Sequence, residues 1–212
     1  MRESGILMHI SSLPGPYGIG SMGKQAYAFV DFLEAAGQSY WQILPLTPTG
    51  YGDSPYQSTS ACAGNHYLID LDTLVEEGLL RQEEISSVVW NHSKTRVDYG
   101  ILYDQRCRIL KLAYDRFTPD AHYAAFVAEN ESWLADFSIF MALKAENGGK
   151  PWLQWPEALK CHEETALEAK RQQLHEAVSF QYFLQYIFDR QWKALRSYAN
   201  GKGIRIIGDV PI

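Results

Sequence analysis

Between Ser39 and Asn65 the chain reads SYWQILPLTPTGYGDSPYQSTSACAGN, and seven consecutive positions of it hold Tyr51, Asp53, Ser54, Tyr56 and Gln57. Aromatic faces beside hydroxyls, an amide and a carboxylate describe a wet stacking site more readily than a dry core, and a sugar suits such a set. Tyr56 has two readings: a platform for a pyranose ring, or a loop aromatic folded onto the core. Its Asp, Ser and Gln neighbours favour the first. Tyr51, in TGYGD, carries the same pair of readings. Asp53 and Ser54 are of the kind that often bond their own loop backbone.

Asp209 follows Ile206-Ile207-Gly208 and precedes Val210-Pro211. A carboxylate at the carboxyl end of a parallel strand lies on the catalytic face of an α/β barrel; the plainer alternative is a cap on a nearby amide. His9, closing GILMH, has a similar choice, and a satisfied core histidine is the favoured reading. The glycines of GPYGIGSMG do not fit a nucleotide-binding spacing, so a nucleotide site is rejected. No Ser/His/Asp or Cys/His constellation is evident. Nor does any pair of carboxylates stand out as the acid and nucleophile that glycoside chemistry requires.

The elements that must hold these residues follow from hydrophobic pattern. Gly5–Pro14 predicts a first strand ending in a polar turn, and GPYGIGSMG a strand-to-helix loop. Gly23–Ala36 has helical period, with Ala26, Phe29, Val30, Leu33 and Ala36 on one face and Gly37 placed as the stop. Tyr40–Leu46 reads as a second, parallel strand covered on both faces. His66–Leu74 predicts an extended piece. Gln82–Val89, Tyr99–Phe117, Ala121–Asn130, Ser132–Glu146 and about Glu163–Asn200 predict helices, with PWLQWP a rigid connector and the stripe from Phe180 to Tyr198 core. GIRIIGDVPI closes as a third buried strand.

The plan is therefore β-α-β, a helical stretch of roughly 100 residues, then α-β, and a crossover between neighbouring strands seldom needs that much chain. The expected division is residues 1–73 as the first two β/α units with the substrate loop, 74–174 as an inserted helical subdomain, and 175–212 as a helix and third strand of the parent fold. The fold class is α/β.

With 212 residues, 46% hydrophobic and 21% charged, the composition is that of an ordinary globular protein large enough for a sizeable core. A net charge of −6 without a Lys/Arg cluster argues against a nucleic-acid partner. No apolar run is long enough to span a membrane, and His9, Ser11, Ser12 and Pro14 break up the N-terminal apolar piece, against a signal peptide. Cys62, Cys107 and Cys161, odd in number and far apart, fit free thiols in a reducing cytoplasm, with neither a disulfide frame nor a zinc site.

Four stretches, GILMHISSLPGPYGIGSMG, WQILPLTPTGYGDSPYQSTSACAGNHYLIDL, VDYGILY and FLQYIFDRQWKALRSYANGKGIRIIGDVPI, together resemble the 4-α-glucanotransferases, the amylomaltase or disproportionating enzymes of the α-amylase superfamily. The resemblance runs from Gly5 to Ile212. It implies the N-terminal part, about three strands, of a (β/α)8 barrel with a large helical insertion. It implies a retaining double displacement on α-1,4-glucans and maltooligosaccharides, with no cofactor and no metal. It also implies roles: Asp209 at the donor-side sugar site, Tyr56 stacking on the sugar beside the scissile bond, Ser54 near it, and Tyr51 in a secondary glucan site. The family's catalytic carboxylates lie on later strands, so no catalytic residue is expected within this chain and the rest of the barrel must come from elsewhere. A non-catalytic glucan-binding fragment and an α-glucan hydrolase of the same superfamily stand as alternatives.

Overall fold

Three short strands carry the architecture: β1 (Gly5–Leu7), β2 (Tyr40–Gln42) and β3 (Arg205–Ile207), parallel and adjacent in the order β1-β2-β3. The computed structural model describes residues 2–50, 52–93 and 95–211. Cross-strand rows are Gly5–Tyr40–Arg205, Ile6–Trp41–Ile206 and Leu7–Gln42–Ile207. The middle row turns towards helix α1 (Lys24–Ala35), where the Phe29 ring meets Trp41 edge-on at 5.1 Å and Trp41 is fully buried. The outer rows share the other face, which stays open among the described residues, with Leu7 55% and Ile207 44% exposed.

Two-sided burial, expected from the apolar run at β2, is therefore not what the sheet shows. Helical cover lies on one side only. β2 is also shorter than Tyr40–Leu46. Beyond the last paired row the ladder continues through the Met8 N–H to the Gln42 carbonyl at 2.9 Å and the Ile43 N–H to the Ile207 carbonyl at 3.0 Å, and Pro45 and Pro48 have no N–H with which to extend it. At β3, Ile204 just before the strand is buried, but Ile207 at its end and Val210 beyond it are exposed, against the expectation of a buried strand.

Helix α1 buries Ala26, Val30 and Leu33 and ends as its sequence dictates. Gly37 takes φ +66, and the Gln38 N–H returns to the Leu33 carbonyl at 2.9 Å, the wrap-around closure that favours glycine. The His66–Leu74 segment is not extended: a 3-10 turn (His66–Leu68) leads into α2 (Leu71–Glu76). Two caps decide this, Asn65 accepting from the Tyr67 N–H and Asp70 from the Thr73 N–H. α3 (Gln82–Ser86) and α4 (Tyr99–Tyr114) follow, then α5 (Ala121–Glu146), one unbroken helix where two were expected. PWLQWP forms a 3-10 turn, and α6 (Glu157–Lys160), α7 (Glu164–Gln173) and α8 (His175–Gly201) complete the chain before β3.

Residues 118–186 form one compact unit, and residues 2–117 with 187–211 form the other. The helical stretch 74–174 is thus shared between them, α3 and α4 falling in the unit that holds the sheet. The helical unit has its own core of Ile139, Leu143, Trp155, Leu159 and Leu167, with Phe140 and Val178 packed against it. In the sheet-bearing unit, α1 and the end of α8 lie side by side: the Tyr198 hydroxyl donates to Asp31 at 2.6 Å and Lys202 pairs with Glu34 at 2.8 Å.

Candidate functional site

The loop after β2 folds back on itself before it reaches β3. Thr49 bridges antiparallel to Ser58, and the Gly50 N–H bonds the Gln57 carbonyl at 2.7 Å, closing a small hairpin-like loop. Inside it, Asp53 takes φ +57, a conformation open to Asp, and the Gln57 N–H reaches the Ser54 carbonyl at 3.1 Å. The Ser54 hydroxyl accepts from the Tyr56 N–H at 3.3 Å, so it steadies the backbone that carries the Tyr56 ring. Tyr51 lies outside the described residues.

Tyr56 leaves this loop and donates its hydroxyl to Asp209 Oδ2 at 2.7 Å, joining positions 153 residues apart. Asp209 Oδ1 accepts from the Val210 N–H at 2.9 Å, so the capping role and the contact with Tyr56 coexist on one carboxylate. Donating that bond to a carboxylate raises Tyr56 above the ordinary tyrosine value, with burial and the Asp209 charge adding to the shift. The phenol therefore stays protonated through the neutral range. A carboxylate offers about four lone-pair positions, so Asp209 still has acceptor capacity for hydroxyl groups of a ligand. The Tyr56 ring is 43% exposed, with a face available for stacking. An aromatic platform tethered to a carboxylate at the carboxyl ends of parallel strands can hold a polyhydroxyl ring by one face and its edge.

The structure also adds groups to which sequence reasoning gave no role, the Thr47 and Thr49 hydroxyls first among them. The Thr47 and Thr49 hydroxyls and His9 Nδ1 are enclosed without a hydrogen-bond partner among the described residues. His9 is thus not the satisfied core histidine that was expected. Asp53 is pushed up by burial, and burial likewise raises Tyr67 and Tyr99, with the Asp53 charge adding to both; the two rings lie 6.3 Å apart. Behind them His66 Nε2 and Cys107 Sγ approach to 3.4 Å, and burial holds the imidazole neutral, down to about 4. The only sequence signal for this second cluster is the aromatic density of HY and VDYG. No group of three or more His, Cys, Asp or Glu among the described residues is arranged to hold a metal ion.

A family model described as 4-alpha-glucanotransferase matches residues 8–212. Curated 4-alpha-glucanotransferases from Thermus thermophilus and Clostridium butyricum are 49% and 48% identical over 100% and 97% of this chain. A solved amylomaltase from Streptococcus agalactiae, in complex with acarbose, superposes with a TM-score of 0.95 at 45% identity over 99% of this chain. The chain spans 42% of the length of both curated relatives and 43% of the solved one.

Proposed function

Because the chain belongs to the 4-alpha-glucanotransferase family, we propose that the whole protein transfers segments of α-1,4-glucan to the 4-hydroxyl of glucose or another maltooligosaccharide. The observation that carries this for the residues in hand is the Tyr56–Asp209 bond at 2.7 Å, which assembles a stacking face and a carboxylate from two distant strand ends. Tyr56 packs against a glucose ring and Asp209 orients its hydroxyls, with Ser54 holding the Tyr56 backbone and Tyr51 contributing to a secondary glucan contact. The acarbose complex of the solved relative supports a glucan-like ligand.

Retention over two displacements requires a carboxylate nucleophile and a second carboxylic acid about 5–5.5 Å away. Asp209 is ill suited to be that nucleophile. Both of its oxygens already accept hydrogen bonds, one from the Tyr56 hydroxyl and one from the Val210 N–H, which hold the carboxylate in place as a binding group. The attacking and proton-donating carboxylates are assigned to later strands of a (β/α)8 barrel, whose first three strands are β1–β3 with the helical stretch 74–174 inserted. The open sheet face at Leu7, Gln42 and Ile207 fits a barrel interior. Three free cysteines suit a cytoplasmic enzyme. No helix among the described residues is long and apolar enough to cross a membrane.

The test is to incubate the complete protein with maltotriose and follow glucose and longer maltodextrins by chromatography. Transfer gives both product classes, and Tyr56→Ala lowers the rate at least tenfold. Production of glucose and maltose alone would point to hydrolysis, and no product at all would remove the reading. Residues 1–212 alone are expected to give no transfer products.

A further inference from the structure

The strand register carries the site one residue further than the pair already described. Leu7, Gln42 and Ile207 form the last paired row on the open face, and the ladder still holds just beyond it through the Met8 N–H to the Gln42 carbonyl at 2.9 Å and the Ile43 N–H to the Ile207 carbonyl at 3.0 Å. Successive residues of a strand alternate between faces, so the next positions on the open face are His9, Leu44 and Asp209. His9 keeps extended backbone, φ −68 and ψ 144, which preserves that alternation. The end of β1 is fixed from below, since the Trp41 indole N–H donates to the Met8 carbonyl at 2.7 Å. Neighbouring strands lie about 4.8 Å apart, which puts His9 roughly 10 Å from Asp209 across a half-buried Leu44.

The His9 ring is partly buried, and its Nδ1 is enclosed with no partner among the described residues. A ring nitrogen in that position lowers stability without any compensating bond, so packing alone does not account for a histidine here. Burial pushes its pKa down to about 4, which leaves a neutral imidazole at any ordinary pH. A neutral imidazole has one donor and one acceptor nitrogen, the pairing a sugar hydroxyl accepts in either direction.

We propose that His9 is a further substrate-binding residue: from the far end of the row that contains Asp209, it presents its imidazole to a hydroxyl of the glucan lying over Leu44. The proposal rests on the reading of Tyr56 and Asp209 as a glucan site. Leu44 then supplies an apolar floor, Asp209 with Tyr56 holds one side of the sugar, and His9 holds the other.

In the complete protein, His9→Leu, His9→Gln and His9→Asn are compared with Tyr56→Phe and Asp209→Asn. Each is assayed for transfer from maltotriose, for maltotriose binding by calorimetry, and for thermal midpoint. Loss of one hydrogen bond to the sugar is expected to weaken maltotriose binding and raise KM by about 3- to 10-fold in His9→Leu. His9→Gln or His9→Asn, which can still donate and accept, is expected to recover part of the loss without shifting the midpoint. Unchanged binding and KM in the folded His9 variants overturns the proposal, as does a His9→Leu protein that is only more stable. If His9→Leu does not fold, the Gln and Asn variants decide: weakened binding at a parental midpoint supports the contact, and parental binding refutes it. Should Tyr56→Phe and Asp209→Asn also bind as the parent does, the glucan site itself is misplaced; should they alone weaken binding, only the role of His9 fails.

Discussion

Asp70 gives the sharpest stability prediction, because one buried carboxylate serves three parts of the chain. Its Oδ1 accepts from the Thr73 N–H and hydroxyl, both at 2.9 Å, capping α2, and its Oδ2 accepts from the Ser21 hydroxyl at 2.7 Å, tying down the glycine-rich loop. Its backbone exchanges bonds with the Gln191 side chain of α8 at 2.7 and 3.1 Å. Burial pushes the fully buried Arg106 guanidinium down to about 10 even with the Asp70 charge raising it, and the guanidinium donates to the Tyr67 and Ile69 carbonyls. In Asp70→Ala the lost cap costs about 1 kcal/mol, and the charged bond from Ser21 a further 1.5–3 kcal/mol, roughly. Together these put the loss at about 2.5–4 kcal/mol, and Arg106 loses a favourable charge as well. Asp70→Asn keeps one oxygen for the cap and is expected to lose about half of that. Gly23→Ala is an independent check, because its methyl would fall 2.0 Å from Asp70 Oδ2 and displace the same carboxylate. The assay is urea unfolding followed by tryptophan fluorescence, with hydrogen exchange at the Leu68 and Thr73 amides as the local readout. An Asp70→Ala protein within about 1 kcal/mol of the parent, with those amides still protected, would refute the hub.

Tyr56→Phe and Asp209→Asn are expected to be coupled: each lowers transfer, and the double variant falls short of the product of the two losses by about 3-fold or more. A strictly multiplicative double variant would mean that the 2.7 Å bond contributes nothing to function. Gly64→Ala would place a methyl 2.1 Å from the Phe188 ring, an overpacking expected to cost about 1–3 kcal/mol and read as a lower thermal midpoint. Stability is expected to fall as pH drops from 6.5 towards 4. His9 and His66 have folded values near 4, so over that window the unfolded chain takes up protons that the folded chain refuses. Urea midpoints measured across the window in His66→Gln should show a shallower slope than the parent, and an equal slope would remove His66 from the explanation.

Local chemistry was legible where one segment decides its own conformation. The stripe Ala26–Val30–Leu33 and the stop at Gly37 fixed α1 at both ends, and Gly148 and Gly149, with φ +64 and +76, closed α5. The segment HYLIDLDTL was misread because its apolar alternation imitates a strand, whereas Asn65 and Asp70 are helix-cap residues whose side-chain bonds outweigh the pattern. The apparent break near Glu131 was misread for the opposite reason: charged residues there are exposed on a continuous helix and interrupt nothing. The Tyr56–Asp209 contact was beyond any spacing argument, since 153 residues separate its partners. Only the resemblance put the two in one site.

What set the site out of reach of pattern reading is also what makes it adjustable. A parallel sheet brings strand ends together by register, and each end is followed by its own loop, so each loop can change its side chains without altering the ladder. Here β2 sends out a loop closed on itself at Thr49–Ser58, and β3 sends out a single carboxylate that the loop must find. A slip of one residue in the β2–β3 pairing would turn Asp209 to the helix-covered face and leave the Tyr56 hydroxyl without its acceptor. The register is guarded by the row Ile6–Trp41–Ile206, because only Trp41 on the covered face buries its ring against Phe29 while its indole N–H reaches Met8. The core tryptophan therefore acts on function through geometry. Trp41→Phe retains most of the apolar contact but drops the bond to Met8, freeing the end of β1 that carries His9. It should weaken maltotriose binding more than its modest loss of stability would suggest, whereas an effect confined to stability would show that the strand ends hold their register without it.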